Sequence, residues 1–391
     1  MDMPSADVIV VGLGAMGSAS LYQLARRGAR VIGIDRYGPP HIYGSSHGET
    51  RITRQAIGEG AAYVPLVLRS HQIWRDLEAQ TGTSLFWACG GLVLSGQVGQ
   101  ALHHGKPQFL ERTLEAARQF GIAHEVLDAA QIQERFPQFI LQGDETGYFE
   151  PGAGLLYPER CVQVQLKQAQ RLGAVVHTGE TVRRIVPLND GVEVETDQTR
   201  YRAAKVVVSV GAWAAQLLGE PLAQVLRVYR QVLFWLEAPD PQVYGPERFP
   251  IFIWMFGSAE GEHFYGFPQV SQGVKVATEQ ARTPTHPDQV ERQVSEAETW
   301  AFFTRYVQGR LKGLGPGCLK SATCLYTSTV DGDFILDFHP DSERILVASP
   351  CSGHGFKHSA AVGEALAGLA LHGRSPFDLT PFRLAQRPVW G

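Results

Sequence analysis

Asp7-Val-Ile-Val-Val11-Gly12-Leu-Gly14-Ala-Met-Gly17 decides the fold class. A short β-branched run suited to a buried strand passes directly into Gly-x-Gly-x-x-Gly, and residues 15–27 then have helical composition with Leu21 and Leu24 on one face. The glycines permit a tight turn, close approach of backbone to a pyrophosphate and close helix–strand packing, with the helix N-terminus facing the phosphates. Gly28 is a natural helix stop, and residues 30–35 read as a second strand closing on Asp35. That acid stands 23 residues after Gly12, where a carboxylate accepts a hydrogen bond from a ribose 2′-hydroxyl. It argues against a 2′-phosphate. These residues leave FAD and NAD both open.

Outward from this unit the chain stays α/β. Helical patterns recur at 63–80, 108–120, 129–136 and 158–172, the last with Pro158 at a suitable first helical position. Strand patterns fall at 85–94, 175–177, 182–186, 192–195 and 205–210. Residues 227–278 are β-rich and aromatic, 287–308 read as one polar-faced helix, and 345–371 return to strand, loop and helix. The α/β material lies in three separated blocks, so a nucleotide domain interrupted by β-rich insertions is expected.

Composition narrows the class. The 391 residues carry 35 Lys+Arg against 39 Asp+Glu, a net charge of −4 without a basic run, which argues against a nucleic-acid surface. No apolar stretch reaches the roughly 18 residues of a membrane helix, and residues 1–7 lack the basic start of a secretory leader. The five cysteines are odd in number and lack CxxC spacing, so neither a disulfide framework nor a metal site is indicated. A soluble, cytoplasmic protein is expected. Glycine is over-used, 42 of 391 residues against a usual share of about 7%; tight turns and close backbone approaches are expected.

Four further segments carry chemistry. Gly44-Ser-Ser-His47-Gly-Glu-Thr50-Arg51-Ile-Thr-Arg54 delivers two arginines three residues apart from a polar loop. Cys351-Ser-Gly353-His354-Gly355-Phe-Lys357 is a glycine-rich loop opening an apolar helix, again suited to an anion. Cys324 and Lys275 each lie on a short strand-like run, where a buried thiol and a solvated lysine are the ordinary outcomes. The residues alone point to a dinucleotide enzyme with cationic loops suited to an acidic substrate.

Taken together, these segments resemble the monomeric sarcosine oxidase and N-methyltryptophan oxidase family of FAD amine oxidases. The likeness also includes Pro39-Pro-His41, Gly58-Glu-Gly60, Tyr63-Val-Pro-Leu66, Tyr229-Arg-Gln-Val232, Tyr265-Gly-Phe-Pro268, Cys324-Leu-Tyr-Thr327, Asp333-Phe-Ile-Leu-Asp337 and Asp378-Leu-Thr-Pro-Phe382, in family order along the chain. It implies a discontinuous Rossmann-like FAD domain (1–84, 151–220 and 318–391) and a mainly antiparallel β substrate domain (85–150 and 221–317). It implies a monomeric enzyme that oxidises an N-methyl or cyclic amino acid with O2, with the flavin attached to Cys324; a flavin dehydrogenase that passes electrons to a protein acceptor is the alternative. Arg54 and Lys357 correspond to the substrate carboxylate clamp, with Tyr265 and Glu279 also facing the substrate. Lys275, Arg51, His354 and Tyr326 take the catalytic positions, Lys275 as the oxygen-activating cation. Gly12, Gly14, Gly17, Asp35, Ser45, His47, Thr50, Cys324, Gly353, Gly355 and Lys357 make up the implied cofactor set.

The chain departs from that pattern at Gln55 and Ile57, at Glu279 in place of a basic histidine, and in the aromatic run Phe252-Ile-Trp254-Met-Phe256. These departures predict an altered pocket mouth. Glu279, four residues after Lys275, is expected to offset the lysine's field if the strand bends.

Overall fold

The computed structural model describes residues 3–96, 103, 104 and 106–390. Two eight-stranded sheets dominate. In the first, Ser5–Val11 lies between Val31–Asp35 and Arg200–Val208, parallel to both. Val175–Thr178 extends one side in parallel, while Ser342–Ser349 pairs parallel to Arg200–Val208. The central strands are buried, as their continuous β-branched character requires, because helices Ala15–Arg26 and Ser359–His372 pack together over them. The contact is close: a Cβ on Gly363 would lie 2.5 Å from that of Ala19. All three sequence blocks of the expected nucleotide domain contribute strands here.

The second sheet runs Cys318–Ser328, Arg227–Leu236, Val274–Ala277, His263–Gly266, Ile251–Met255, Gly91–Ser95, Thr146–Glu150, Glu125–Asp128. It is antiparallel except between Ile251–Met255 and Gly91–Ser95. Cys318–Ser328 pairs along Arg227–Leu236, so the strand carrying Cys324 belongs to this sheet, and the expected boundary at 318 falls too early. Phe252 and Trp254 pack into the aromatic core with Phe139 and Phe264, leaving Ile253 to line the inner cavity. The unusual aromatic run therefore builds core rather than pocket mouth.

Two expected elements differ. The 85–94 strand is split into Phe86–Trp87 and Gly91–Ser95, because Gly90 takes a left-handed φ of +81° between them. Of the helix expected over 287–308, only Glu296–Phe302 is α-helical, continuing as a π turn over Phe303–Val307. Ser295 and Glu298 form a capping box that starts it there. Upstream, Arg230 takes the carbonyls of Glu291 (2.6 Å) and Gln293 (2.9 Å), satisfying them outside a helix.

Candidate active site

A cleft of about 410 Å³ opens at the C-terminal ends of Ser5–Val11 and Val31–Asp35, where a dinucleotide binds in such sheets. Gly12 has φ +82°, and a Cβ there would lie 2.7 Å from the Ser209 carbonyl oxygen. A Cβ on Gly17 would fall 1.7 Å from the Gly12 oxygen, so this glycine serves helix–strand packing. Asp35 accepts from the backbone N–H groups of Leu13 and Tyr37, both at 2.7 Å, which aims its carboxylate along the cleft. Burial pushes its pKa up, against the pull of those donors. Ser46, not anticipated from sequence, accepts from Ala15 N–H at 3.1 Å and ties the 44–51 loop to the helix N-terminus. The glycine turn, exposed helix N-terminus and aimed acid fit a dinucleotide cofactor.

Of the expected cofactor set, Gly12, Gly14, Asp35, Ser45, Gly353 and Gly355 line this cleft. His47, Thr50, Cys324 and Lys357 do not. His47 is buried beside Arg51, and burial first, then that cation, brings its pKa to about 3. Thr50 instead faces the inner cavity and accepts from Lys275. Cys324 is 1% exposed, on the second sheet. Burial raises its pKa more than Arg51 and Lys275 lower it, so the thiol form is favoured.

A second, smaller cavity of about 60 Å³ lies beneath the second sheet. Arg51, Tyr326, Gly353 and Phe356 line both spaces, which are therefore neighbours. Here the fold brings together Arg54, Lys357, Tyr265, Tyr326, His354, Lys275 and Glu279, seven of the residues expected at the substrate. Gln55 and Ile57 do not line it; of the sequence departures, Glu279 and Ile253 of the aromatic run reach the cavity.

Lys275 is buried, its ammonium donating to Gly48 O (2.7 Å), Thr50 O (2.8 Å) and Thr50 Oγ1 (3.1 Å) and lying over the Phe267 ring. Burial, then Arg51, holds its pKa well below the ordinary lysine value. Glu279 does not turn back to it. The carboxylate pairs with His104 at 2.9 Å and lies 3.8 Å from His263. Tyr265 and Tyr326 hydroxyls are 3.3 Å apart, both pKa values raised chiefly by burial, so both phenols keep their protons.

At the clamp end, Arg54 donates to Glu59 (2.6 Å) and to Ala56 O. Lys357 Nζ lies 3.9 Å from Glu59 and donates to His354 O at 3.0 Å. Burial works against the Glu59 carboxylate, but Arg54 and then Lys357 hold its pKa well below the usual range. Burial lowers Lys357 to about 8, with Glu59 opposing. His354 is neutral, brought to about 3 mainly by burial; it hydrogen-bonds Gly332 O at 3.0 Å and stacks on Phe334. His104 bridges the two acids, 3.4 Å from Glu59; despite burial, Glu279 and Glu59 raise its pKa to about 9. Glu59 stood within Gly58-Glu-Gly60 without an assigned part, and His103 and His104 carried no sequence signal beyond adjacency.

Residues 7–369 match the family described as FAD dependent oxidoreductase. The chain is 40% identical to a monomeric sarcosine oxidase from Streptomyces avermitilis, over 99% of this chain and all of that one. It is 35% identical to an N-methyl-L-tryptophan oxidase from Yersinia pestis, over 97% and 99% of the two. Among solved structures it is similar to NikD, an amino acid oxidase of nikkomycin biosynthesis, with a TM-score of 0.84, 25% identity and 99% of both chains covered. Glycine oxidase from Geobacillus kaustophilus shares the fold, with a TM-score of 0.76 at 22% identity over 97% and 98% of the chains. The glycine turn, the aimed Asp35 and the full-length match agree, and the chain belongs to the family of FAD dependent oxidoreductases.

Proposed function

We propose that the protein oxidises a small secondary amino acid, sarcosine-like, converting an N-methyl amino acid, O2 and water into the demethylated amino acid, formaldehyde and H2O2. The observation that carries this is the convergence of Arg54 and Lys357 on Glu59 in a small cavity that shares four of its lining residues with the dinucleotide cleft. There Arg54, Lys357 and His104 face two carboxylates, Glu59 and Glu279, an excess of one positive charge that a substrate carboxylate would balance. A guanidinium fork and an ammonium suit that group. Arg51 and Lys275 on the cleft side add further positive potential. It disfavours an ammonium and so lowers the substrate amine's pKa, keeping the nitrogen lone pair available. The protonated phenols of Tyr265 and Tyr326 supply donors beside it. FAD in the cleft would accept the hydride from the carbon next to nitrogen and pass the electrons to oxygen.

The cavity's size favours sarcosine or a small cyclic imino acid over an N-methyl amino acid with an indole side chain. A panel of N-methyl and cyclic amino acids, read by peroxide release without added acceptor, tests the assignment. Sarcosine should lead. Flavin reduction without peroxide would instead identify a dehydrogenase that uses a protein acceptor. A single-chain enzyme is in keeping with relatives named monomeric sarcosine oxidase. Five free cysteines suit the cytoplasm's reducing conditions. No helix among the described residues is long and apolar enough to cross a membrane.

The same reading attaches the flavin to Cys324. Arg51 and Lys275 pull its thiol toward the thiolate, although burial outweighs them in the protein alone. Cys324→Ser should release all yellow colour into the supernatant on acid precipitation, whereas the native chain should retain colour in the pellet. Native supernatant holding all the colour would exclude the linkage.

A further inference from the structure

The imidazoles behind Glu279 have more ring nitrogens than hydrogen bonds. His103 and His263 are 3% and 5% exposed. Nδ1 of His103 and both ring nitrogens of His263 have no hydrogen-bond partner among the described residues. Leaving such groups unpaired in a dry interior costs free energy, a cost that a bound water or ion relieves. Three separate pieces of chain bring them together: the bridge of His103 to Lys106, the start of His263–Gly266, and the residue two beyond Val274–Ala277. The His103 and His263 rings meet edge to face at 4.6 Å.

One ligand atom each from His103, His263 and Glu279 lies within 4.8 Å of the other two. A tetrahedral ion with bonds of about 2.1 Å sets its ligand atoms about 3.4 Å apart. His263 Nε2 and Glu279 Oε2 lie 3.8 Å apart, close to that spacing. We propose that His103, His263 and Glu279 bind a divalent transition ion of the zinc class, with its fourth position open to the inner cavity. Two imidazoles and a carboxylate suit zinc rather than magnesium or calcium, which prefer oxygen ligands alone. His104, 2.9 Å from Glu279, lies outside this set and orients the carboxylate, as outer-shell partners of metal ligands do. Glu59, His103 and His104 also converge. Glu59, however, is paired with Arg54 and close to Lys357, whose charges repel an ion. The ion-pair partners of Glu279 among the described residues are histidines, His104 and His263, and neither a lysine nor an arginine.

The proposal rests on this cluster and not on the substrate assignment. The test uses tag-free holoenzyme, stripped with chelator, dialysed and titrated with ZnCl2 by calorimetry, with metal content measured after gel filtration. One zinc per chain is expected. His263→Asn and His103→Asn should each weaken binding beyond the roughly 10- to 100-fold typical of outer-shell changes, with folding checked by circular dichroism. Cobalt(II) added to the unsubstituted chain gives a readout that needs no variant: intense tetrahedral ligand-field bands beyond the flavin absorption are expected. No retained zinc, unchanged affinity in both folded variants, or only weak octahedral cobalt bands would each overturn the site.

Discussion

Lys275→Met should slow reoxidation of the reduced flavin by O2 about 100-fold, the scale of losing one preorganised electrostatic partner, while changing anaerobic reduction by substrate only modestly. Electron transfer to oxygen creates negative charge, and a fixed cation stabilises it as it forms. Lys275 is suited to that task because its ammonium is held by three acceptors from Gly48 and Thr50 and by the faces of Trp235 and Phe267. Glu279 leaves that field intact, being engaged with His104 instead. Methionine keeps much of the stem and deletes the charge. Its cost to folding, unpaired acceptors in the 48–50 loop, would affect both half-reactions and so is separable. The charge also predicts a pH dependence. Burial and Arg51 depress this pKa, so the cation is lost as pH rises, below the pH at which an ordinary lysine deprotonates. Native reoxidation should therefore fall with rising pH, and the methionine variant should be flat over that range. Stopped-flow measurement of each half-reaction checks both statements; unchanged reoxidation in the variant would remove Lys275 from the oxygen site.

The local signals that located the cleft are those in which one residue type answers one steric demand. Gly12 and Gly17 are fixed by backbone atoms that leave no room for a Cβ, and Asp35 by the two N–H groups that aim it. Such constraints act over a few dozen residues and leave a pattern in sequence. The inner cavity depends on long-range convergence: Arg54, Glu279, Lys357 and Tyr326 come from four distant segments, and only the family resemblance brought them together in advance. Glu59 and His104 show what was not legible. Their parts follow from which charges face them across the cavity, and no local spacing encodes that. The first part of the 287–308 segment, up to Ser295, is not helical for a similar reason, since Arg230, a residue of the neighbouring sheet, takes the carbonyls of Glu291 and Gln293. Local polarity resembled a helix face; tertiary hydrogen bonds overrode it.

Removing either cation of the clamp should weaken saturation by about 2–5 kcal/mol, or roughly 30- to 5,000-fold, the range for truncating one partner of a desolvated ion pair. Arg54→Ala and Lys357→Met are the direct tests, with N-methyl amines lacking a carboxylate as poor substrates of the native chain. The structure adds a competitor. Glu59 lies within reach of both cations and holds them where a substrate carboxylate would bind. Arg54→Ala therefore also strands a buried carboxylate, and Arg54→Lys, which keeps a positive partner for it, separates loss of binding from loss of folding. Glu59→Gln should act in the opposite direction: with the internal anion removed, a simple carboxylate such as acetate should inhibit more tightly, since two buried cations then lack their counter-charge. Lys357 supplies the sign of the pH effect. Its pKa is depressed to about 8, so its charge is present below that pH and lost above it. Carboxylate affinity should fall as pH rises through about 8 in the native chain. In Lys357→Met that step should vanish, while weaker binding persists at every pH. Inhibition constants for acetate across pH 6–10, measured on the flavin spectrum without turnover, read the clamp directly. An unchanged constant in both Arg54→Lys and Lys357→Met would place the carboxylate elsewhere in the cavity.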